Sequence, residues 1–390
     1  MTQIEGSYGT ALVYTREVEQ SAYTQIAQLM NQPFVAGARV RIMPDVHAGM
    51  GCVIGTTMHI VDKVCPNLVG VDVGCGVLVA QLPMTQEAFD APAFDRIVRR
   101  IPAGFSVNPE PLHLEETEAL LGQLVCLPHI KNLPRIHRSM GTLGGGNHFI
   151  EVAVNEAGKL YLLIHSGSRN LGKQVAEHYQ ALAVDYHNQV PGEMLSDLEV
   201  RFPGSKNAKR RQRELRRLKK QHTSVPDDLA YLEGALLADY LHDMRISQRF
   251  AYRNREVMAQ RILEGLTPPV ALADTQPFQT VHNYIDQENI LRKGAVSARA
   301  GEVLVIPLNM RDGSLIVRGL GNPDWNHSAP HGAGRIMSRG EARRVIDLKD
   351  FERSMAGVYT TTLDQSTIDE APMAYKPMAD ILAAIGDTAE

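Results

Sequence analysis

The residues able to do chemistry in this chain gather in five short segments punctuated by glycine. The first, Val69-Gly70-Val71-Asp72-Val73-Gly74-Cys75-Gly76, sets a carboxylate and a thiol three residues apart. Its glycines let the backbone curl, so both groups can face one metal ion or a close pair. Taken alone, Cys75 reads equally well as a small buried hydrophobe at a strand end. The second and third segments, Gly144 to Glu151 and His165-Ser166-Gly167-Ser168-Arg169, carry His148 and His165 beside strand candidates. Imidazole is the commonest nitrogen ligand of transition metals, although a lone core histidine is more often simply hydrogen-bonded. The glycine runs also offer unhindered N–H groups for an anion, and Arg169 adds a fork that suits phosphate. The fourth segment is His282-Asn283-Tyr284, and the fifth is Ala329-Pro330-His331-Gly332-Ala333-Gly334-Arg335. Small residues after His331 would let a phosphorylated ligand meet the backbone, with Arg335 offsetting its charge. A neutral imidazole there can ligate a metal or attack phosphorus and form a phosphoramidate. Asp45 and His47, in Met43-Pro44-Asp45-Val46-His47-Ala48-Gly49, read as supporting or substrate-contacting groups. His113, His129, His178 and His242 have no partner at useful spacing and read as surface or structural residues.

Those segments need elements to hold them. Val18, Ala22, Ile26 and Leu29 recur at helical spacing and Pro33 follows, which predicts a helix over Glu17 to Asn31. Cys52 to Ile60, Val77 to Leu82, Phe149 to Val154 and Leu160 to Ile164 are strand candidates ending at glycine-rich or polar corners. Helices are expected over Asn170 to Gln189 and Asp227 to Leu266, the second on Leu229, Leu232, Leu236, Tyr240 and Met244. Strands and helices mixed without regular βαβ alternation predict an α+β fold, one domain over 1–390 with central β-sheets flanked by helices. A basic helical segment lies around 205–221, where Lys206 to Lys220 holds nine basic residues against the single acid Glu214. It reads either as a solvated helix face or as an arm for a phosphate backbone.

Composition bounds the function. With 390 residues, 44% hydrophobic and 22% charged, the chain can bury a sizeable core, which excludes wholesale disorder. A formal charge of -4 excludes a bulk polyanion binder, so any nucleic-acid site is local. The cysteines, Cys52, Cys65, Cys75 and Cys126, form no C-x-x-C pair, so a disulfide framework or zinc ribbon is not expected and a reducing, cytoplasmic setting is. No signal peptide and no apolar stretch of membrane-spanning length is visible, so neither secretion nor membrane insertion is expected.

Taken in order, PDVHAGMG, VGVDVGCG, GTLGGGNHFIE, IHSGSRNLG, HNY, KGAVSARAGE, IVRGLGN, HGAGRIMSR and DEAPMAYK, spread from about residue 43 to 376, resemble the RtcB family. Its members are RNA ligases that join a 2',3'-cyclic phosphate or 3'-phosphate end to a 5'-hydroxyl end. The resemblance implies GTP and a pair of Mn2+ ions as cofactors. It matches Asp72, Cys75, His148, His165 and His282 to metal ligands and His331 to the histidine that becomes guanylylated. Asn147, Glu151, Ser314, Gly332 and Gly334 match nucleotide-holding positions, and Arg169, Asp45 and Arg335 are expected at the RNA. The expected partner is RNA carrying those ends, bound by a monomer, with an activating protein left open. Two departures fall in the nucleotide site. Pro307-Leu308-Asn309-Met310-Arg311 stands where the family commonly has Pro-Gly-Ser-Met-Gly, and the chain stops at Glu390 without the family's terminal lysine. The C-terminal departure keeps alive a metal-dependent RNA-end phosphoesterase, and the basic run Lys206 to Lys220 a non-catalytic RNA-binding protein, as alternatives.

Overall fold

The computed structural model describes residues 1–15, 17–188, 192–222 and 225–390. Its strands of three residues or more are β1 (Thr2–Glu5), β2 (Thr10–Val13), β3 (Val40–His47), β4 (Ile54–His59), β5 (Gly76–Thr85), β6 (Phe149–Val154), β7 (Lys159–Ser166), β8 (Phe278–Val281), β9 (Asn283–Ile285), β10 (Ile290–Lys293), β11 (Ala295–Ser297), β12 (Val303–Asn309), β13 (Gly313–Arg318) and β14 (Ser328–Pro330). The larger helices are α1 (Gln20–Met30), α2 (Arg169–His187), α3 (Gly192–Arg201), α4 (Ala208–His222) and α5 (Gly234–Glu264). The fold class is α+β.

A six-stranded sheet runs β1-β2-β3-β4-β10-β9 and a four-stranded sheet runs β8-β5-β7-β6. Only β2 and β3 pair in parallel within them. The strands β8 and β9 belong to different sheets, and His282 is the single residue between them. The chain therefore changes sheets at a candidate ligand.

The strand β5 reads as a continuous apolar run because both its faces are covered. Leu78, Ala80 and Leu82 pack with Leu160, Leu162, Ile164 and with Met258 and Ile262 of α5. Val77 and Val79 pack on the other side with Leu163 and Val305. At the far edge of the molecule, Ala22, Ile26 and Leu29 of α1 bury one face with Ile4, Val13 and Val40, as helical spacing requires.

The helix expected over Asp227 to Leu266 begins only at Gly234. Leu229 lies in a short 3-10 turn and Leu232 in a two-residue strand against Lys63–Val64. Their helical spacing is coincidental, since Gly234 takes a left-handed φ of 56° that breaks the helix before it starts. Among the described residues, no helix is long and apolar enough to cross a membrane.

Candidate functional site

The turn Asp72 to Cys75 closes when the Cys75 N–H donates to the Asp72 carbonyl at 3.1 Å, and Gly74 N–H donates to the Asn283 carbonyl at 2.9 Å. Gly74 takes φ 74°, and a Cβ there would meet the Gln248 backbone of α5 at 2.8 Å, so glycine is required twice over. The register places Val77 and Phe149 on either side of His165. His282 is tied on by its N–H to the Cys75 carbonyl at 3.0 Å. Four distant stretches of sequence thus deliver their side chains to one point.

Cys75 Sγ lies 3.2 Å from His165 Nε2 and 3.4 Å from His148 Nε2. His148 Nε2 lies 3.2 Å from Asp72 Oδ2, and His165 Nε2 lies 3.1 Å from His282 Nε2. Two ligand triads result, Cys75/His165/His282 and Asp72/Cys75/His148, with Cys75 common to both. The far ring nitrogens fix the tautomers. His148 Nδ1 faces the Leu143 carbonyl at 2.9 Å and His165 Nδ1 faces the Asn147 carbonyl at 3.1 Å. A carbonyl can only accept, so each Nδ1 carries a proton, and His165 Nε2 turns a bare lone pair toward the thiol. Converging lone pairs in a dry pocket repel one another unless a cation sits among them. This donor set fits a metal ion, and the shared thiol fits a close pair.

The electrostatics agree. Burial, with His148 adding, pushes His165 down to about 3, and burial likewise lowers His282. Both rings are therefore neutral and able to ligate. Burial and then the Asp72 charge push the Cys75 thiol up, so a metal must displace its proton. Burial acts against ionisation of Asp72, but its hydrogen bond to His148 and the charge there outweigh it and hold the carboxyl well below its usual range.

His331 follows β14 and stands beside this centre, its ring centroid 4.9 Å from that of His282. Its Nδ1 lies 2.7 Å from Asp45 Oδ2. The carboxylate is fully buried and accepts from Nδ1–H, which leaves a lone pair on Nε2. Gly334, at φ 73°, lets the loop after His331 lie against Asp45, since a Cβ would meet the Asp45 carbonyl at 2.9 Å. Asp45 was expected at the RNA; its carboxylate is buried against His331. Arg335 was expected at the RNA as well. Its guanidinium donates to the Met337 carbonyl at 3.1 Å, the Tyr375 hydroxyl at 3.0 Å and the Asp369 carbonyl at 2.6 Å, and stacks on Tyr375. It fastens the loop.

Of the remaining expected residues, Arg169 is half-buried over Gly144, close enough that any side chain there would collide with it. Burial lowers its pKa while the Asp72 charge opposes that shift, which sets the guanidinium beside the centre. Asn147 is exposed on the glycine loop. Ser314 Oγ of β13 meets Glu151 Oε1 of β6 at 3.5 Å, and burial pushes Glu151 up to about 7. Gly332 packs so that a Cβ would meet the Pro307 carbonyl at 3.2 Å. The segment after Pro307 forms a closed turn: Asn309 Oδ1 accepts from Arg311 and Asp312 N–H groups at 3.0 Å each, and Arg311 pairs with Asp312 at 2.8 Å. Met310 packs on the cluster of Phe351, Met355 and Ile368. Beyond it, Gly319 bridges Ala389 in antiparallel fashion, and Arg318 and Glu390 exchange backbone hydrogen bonds at 2.7 and 3.0 Å.

Two adjacent residues of α5 were missed. Arg255 is fully buried, and its Nη1 donates to the carbonyls of Gly74 at 2.9 Å and Ser166 at 2.7 Å while Nε donates to Gln279 at 2.7 Å. It so joins the neighbours of Cys75 and His165 to the strand that leads to His282. Asn254 accepts from Gly141 at 2.8 Å and Thr142 at 3.1 Å and donates to Ser166 Oγ at 3.1 Å. The available signal was an arginine four residues from both Ala251 and Ala259 on an apolar helix face.

A sequence profile described as tRNA-splicing ligase RtcB matches residues 25–126 and 113–389. The chain belongs to the RtcB family of RNA ligases. It is 33% identical to the RNA-splicing ligase RtcB of Escherichia coli K12, across 96% of this chain and 92% of that protein. It is 27% identical to the tRNA-splicing ligase RtcB of Aeropyrum pernix, covering 88% and 84%, and to the RNA-splicing ligase RtcB of Mycobacterium bovis, covering 88% and 91%. The resemblance read from nine short motifs and this likeness along the chain lead to the same RtcB family.

Proposed function

We propose that this chain is a GTP- and Mn2+-dependent RNA ligase that joins 2',3'-cyclic phosphate or 3'-phosphate ends to 5'-hydroxyl ends through a guanylyl-histidine at His331. The observation that carries the reading is His331 held by Asp45 at 2.7 Å with its ring beside His282. The metal ions would be held by Asp72, Cys75, His148, His165 and His282, and when bound they polarise phosphoryl oxygens and offset the charge that gathers on them. A Cys/His set would bind Zn2+ more tightly than Mn2+, so the choice of manganese rests on the family resemblance.

His331 Nε2 attacks the α-phosphorus of GTP, forming an N–P bond as the P–O bond to pyrophosphate breaks. The Asp45 carboxylate holds the Nδ1 proton and balances the positive charge that grows on the ring. A 3'-phosphate, supplied as such or by opening of the cyclic ester with water, takes the GMP and frees His331. The 5'-hydroxyl then attacks that phosphate, a phosphodiester forms and GMP leaves. Asn147, Glu151, Ser314, Gly332 and Gly334 are assigned to the nucleotide and Arg169 to the RNA-end phosphate. The whole of 1–390 is assigned to one catalytic unit. A cytoplasmic setting is assigned with it, supported by four free, buried cysteines.

Incubation with Mn2+ and GTP labelled at the α-phosphate tests the step, with His331→Ala in parallel. Acid-labile label on the wild type alone is the expected result. The closed Asn309–Asp312 turn in the nucleotide region favours one competitor, a metal-dependent phosphoesterase. Absence of label on metal-loaded protein would overturn the ligase reading, and release of phosphate from an RNA 3'-end by that protein would establish the competitor.

A further inference from the structure

After α2 the chain leaves the sheets and forms a helical hairpin, α3 and α4, before returning at Asp227. Its sidedness is set by sequence. At 100° per residue, Lys209, Arg213 and Arg216 fall within about 60° of arc, Arg210 and Arg217 continue that face, and Leu215 and Leu218 lie opposite. The burial follows the same division. Lys209, Arg210, Arg213 and Arg216 are exposed, whereas Arg211, Leu215 and Leu218 are half-buried. Arg211 turns inward to donate to the Phe202 carbonyl at 3.3 Å beyond the end of α3. Arg217 pairs with Glu214 at 3.0 Å. Among the described residues, Lys209, Arg210, Arg213 and Arg216 have no ion-pair partner, so the outer face carries uncompensated positive charge on a chain whose formal total is -4.

We infer that the outer face of α4 is a docking surface for the phosphate backbone of the RNA body, away from the ends being joined. Charge complementarity selects a polyanion. The chemistry of the face selects backbone over bases. It presents cations without any aromatic residue, and stacking on single-stranded bases needs aromatic platforms. Position selects the body of the RNA over its ends. The helix α2 begins at Arg169, beside the candidate metal centre, and its 19 residues carry the chain about 28 Å before the hairpin starts. The root of the hairpin is anchored, because Asp228 O accepts from Asn67 Nδ2 at 3.0 Å and Gln180 donates to Asp227 O at 2.7 Å. A surface so placed adds affinity common to ground and transition states, which lowers KM and leaves kcat alone.

The reading rests on RNA being the substrate, and the test is arranged to separate the two. Binding is read by fluorescence anisotropy without GTP or metal, using two RNAs with identical 3'-phosphate ends. One is a short oligonucleotide and the other carries a long stem-loop. The wild type should bind the stem-loop RNA at least tenfold more tightly. The variant Lys209→Gln, Arg210→Gln, Arg213→Gln, Arg216→Gln should bind both RNAs equally, with the log–log salt slope reduced by up to about 3 at roughly 0.7 per lost contact. Glutamine keeps helix propensity, so an unchanged circular-dichroism melt is expected. Arginine-to-lysine exchange at 210, 213 and 216 should retain the preference, because charge suffices. A neutral variant that folds and keeps both the preference and the salt slope overturns the inference, even if His331 labels normally. Equal binding of the two RNAs by the wild type overturns it as well.

Discussion

Asp45→Asn separates the orientation of His331 from the integrity of the fold. In the native site the 2.7 Å bond joins Nδ1 to a fully buried carboxylate. A hydrogen bond to a charged group is worth about 1.5–3 kcal/mol, so its loss alone predicts roughly a 10- to 150-fold slower attack. The amide adds a second effect. Asp45 Oδ1 has no hydrogen-bond partner, so nothing holds the asparagine oxygen toward the ring. If NH2 faces Nδ1, the ring proton moves to Nε2 and the nucleophilic lone pair is blocked. In a Ser-His-Asp triad the same exchange lowers kcat by about 10,000-fold, which sets the upper bound. Removing a buried carboxylate with one unpaired oxygen relieves desolvation, so stability should stay level or rise. For a chain of this length about 1 °C in Tm corresponds to 1 kcal/mol. The assay is the single-turnover rate of acid-labile labelling from α-labelled GTP, beside a thermal melt. A folded Asp45→Asn protein that labels within threefold of wild type would refute the orientation argument.

Other outcomes follow from the same geometry. Cys75 belongs to both triads, so Cys75→Ala should lose both metal equivalents, whereas His282→Ala should lose one; metal analysis after equilibrium dialysis checks this. Burial raises Glu151 from an unfolded value of 4.5 to about 7, so its contribution to stability is present below pH 4.5 and lost as pH rises through 7. Glu151→Gln should therefore flatten the decline in stability across that window, by denaturant unfolding at several pH values. Gly334→Ala puts a Cβ at 2.9 Å from the Asp45 carbonyl at φ 73°, and should cost at least about 1 kcal/mol and slow labelling at His331. Unchanged labelling would show that the loop relaxes without moving the histidine.

Much of the site was legible because its residues are marked locally. Asp72, Cys75, His148 and His165 lie in or beside glycine corners at the ends of apolar runs, and those runs became β5, β6 and β7. Pairings across long separations left no such mark. Asp45 and His331 are 286 positions apart, so nothing near Asp45 tells that its carboxylate faces a ring and not a substrate. Arg335 sits in a small-residue loop that suits phosphate, but its partners Tyr375 and Asp369 arrive from a distant 3-10 turn region. The false start of the long helix at Asp227 arose from an apolar spacing that the left-handed Gly234 interrupts. The basic helix was visible from composition, and the spacing of Leu215 and Leu218 against its cations already carried the two-sidedness that the burial follows.

Asn254 and Arg255 also make one turn of α5 the registration mark for the whole centre. Adding a single residue ahead of them would rotate both by about 100°, taking the guanidinium off Gly74 and Ser166 and the amide off Thr142 in one event. The spacing within α5 is therefore fixed, and its length is inherited as part of the chemistry.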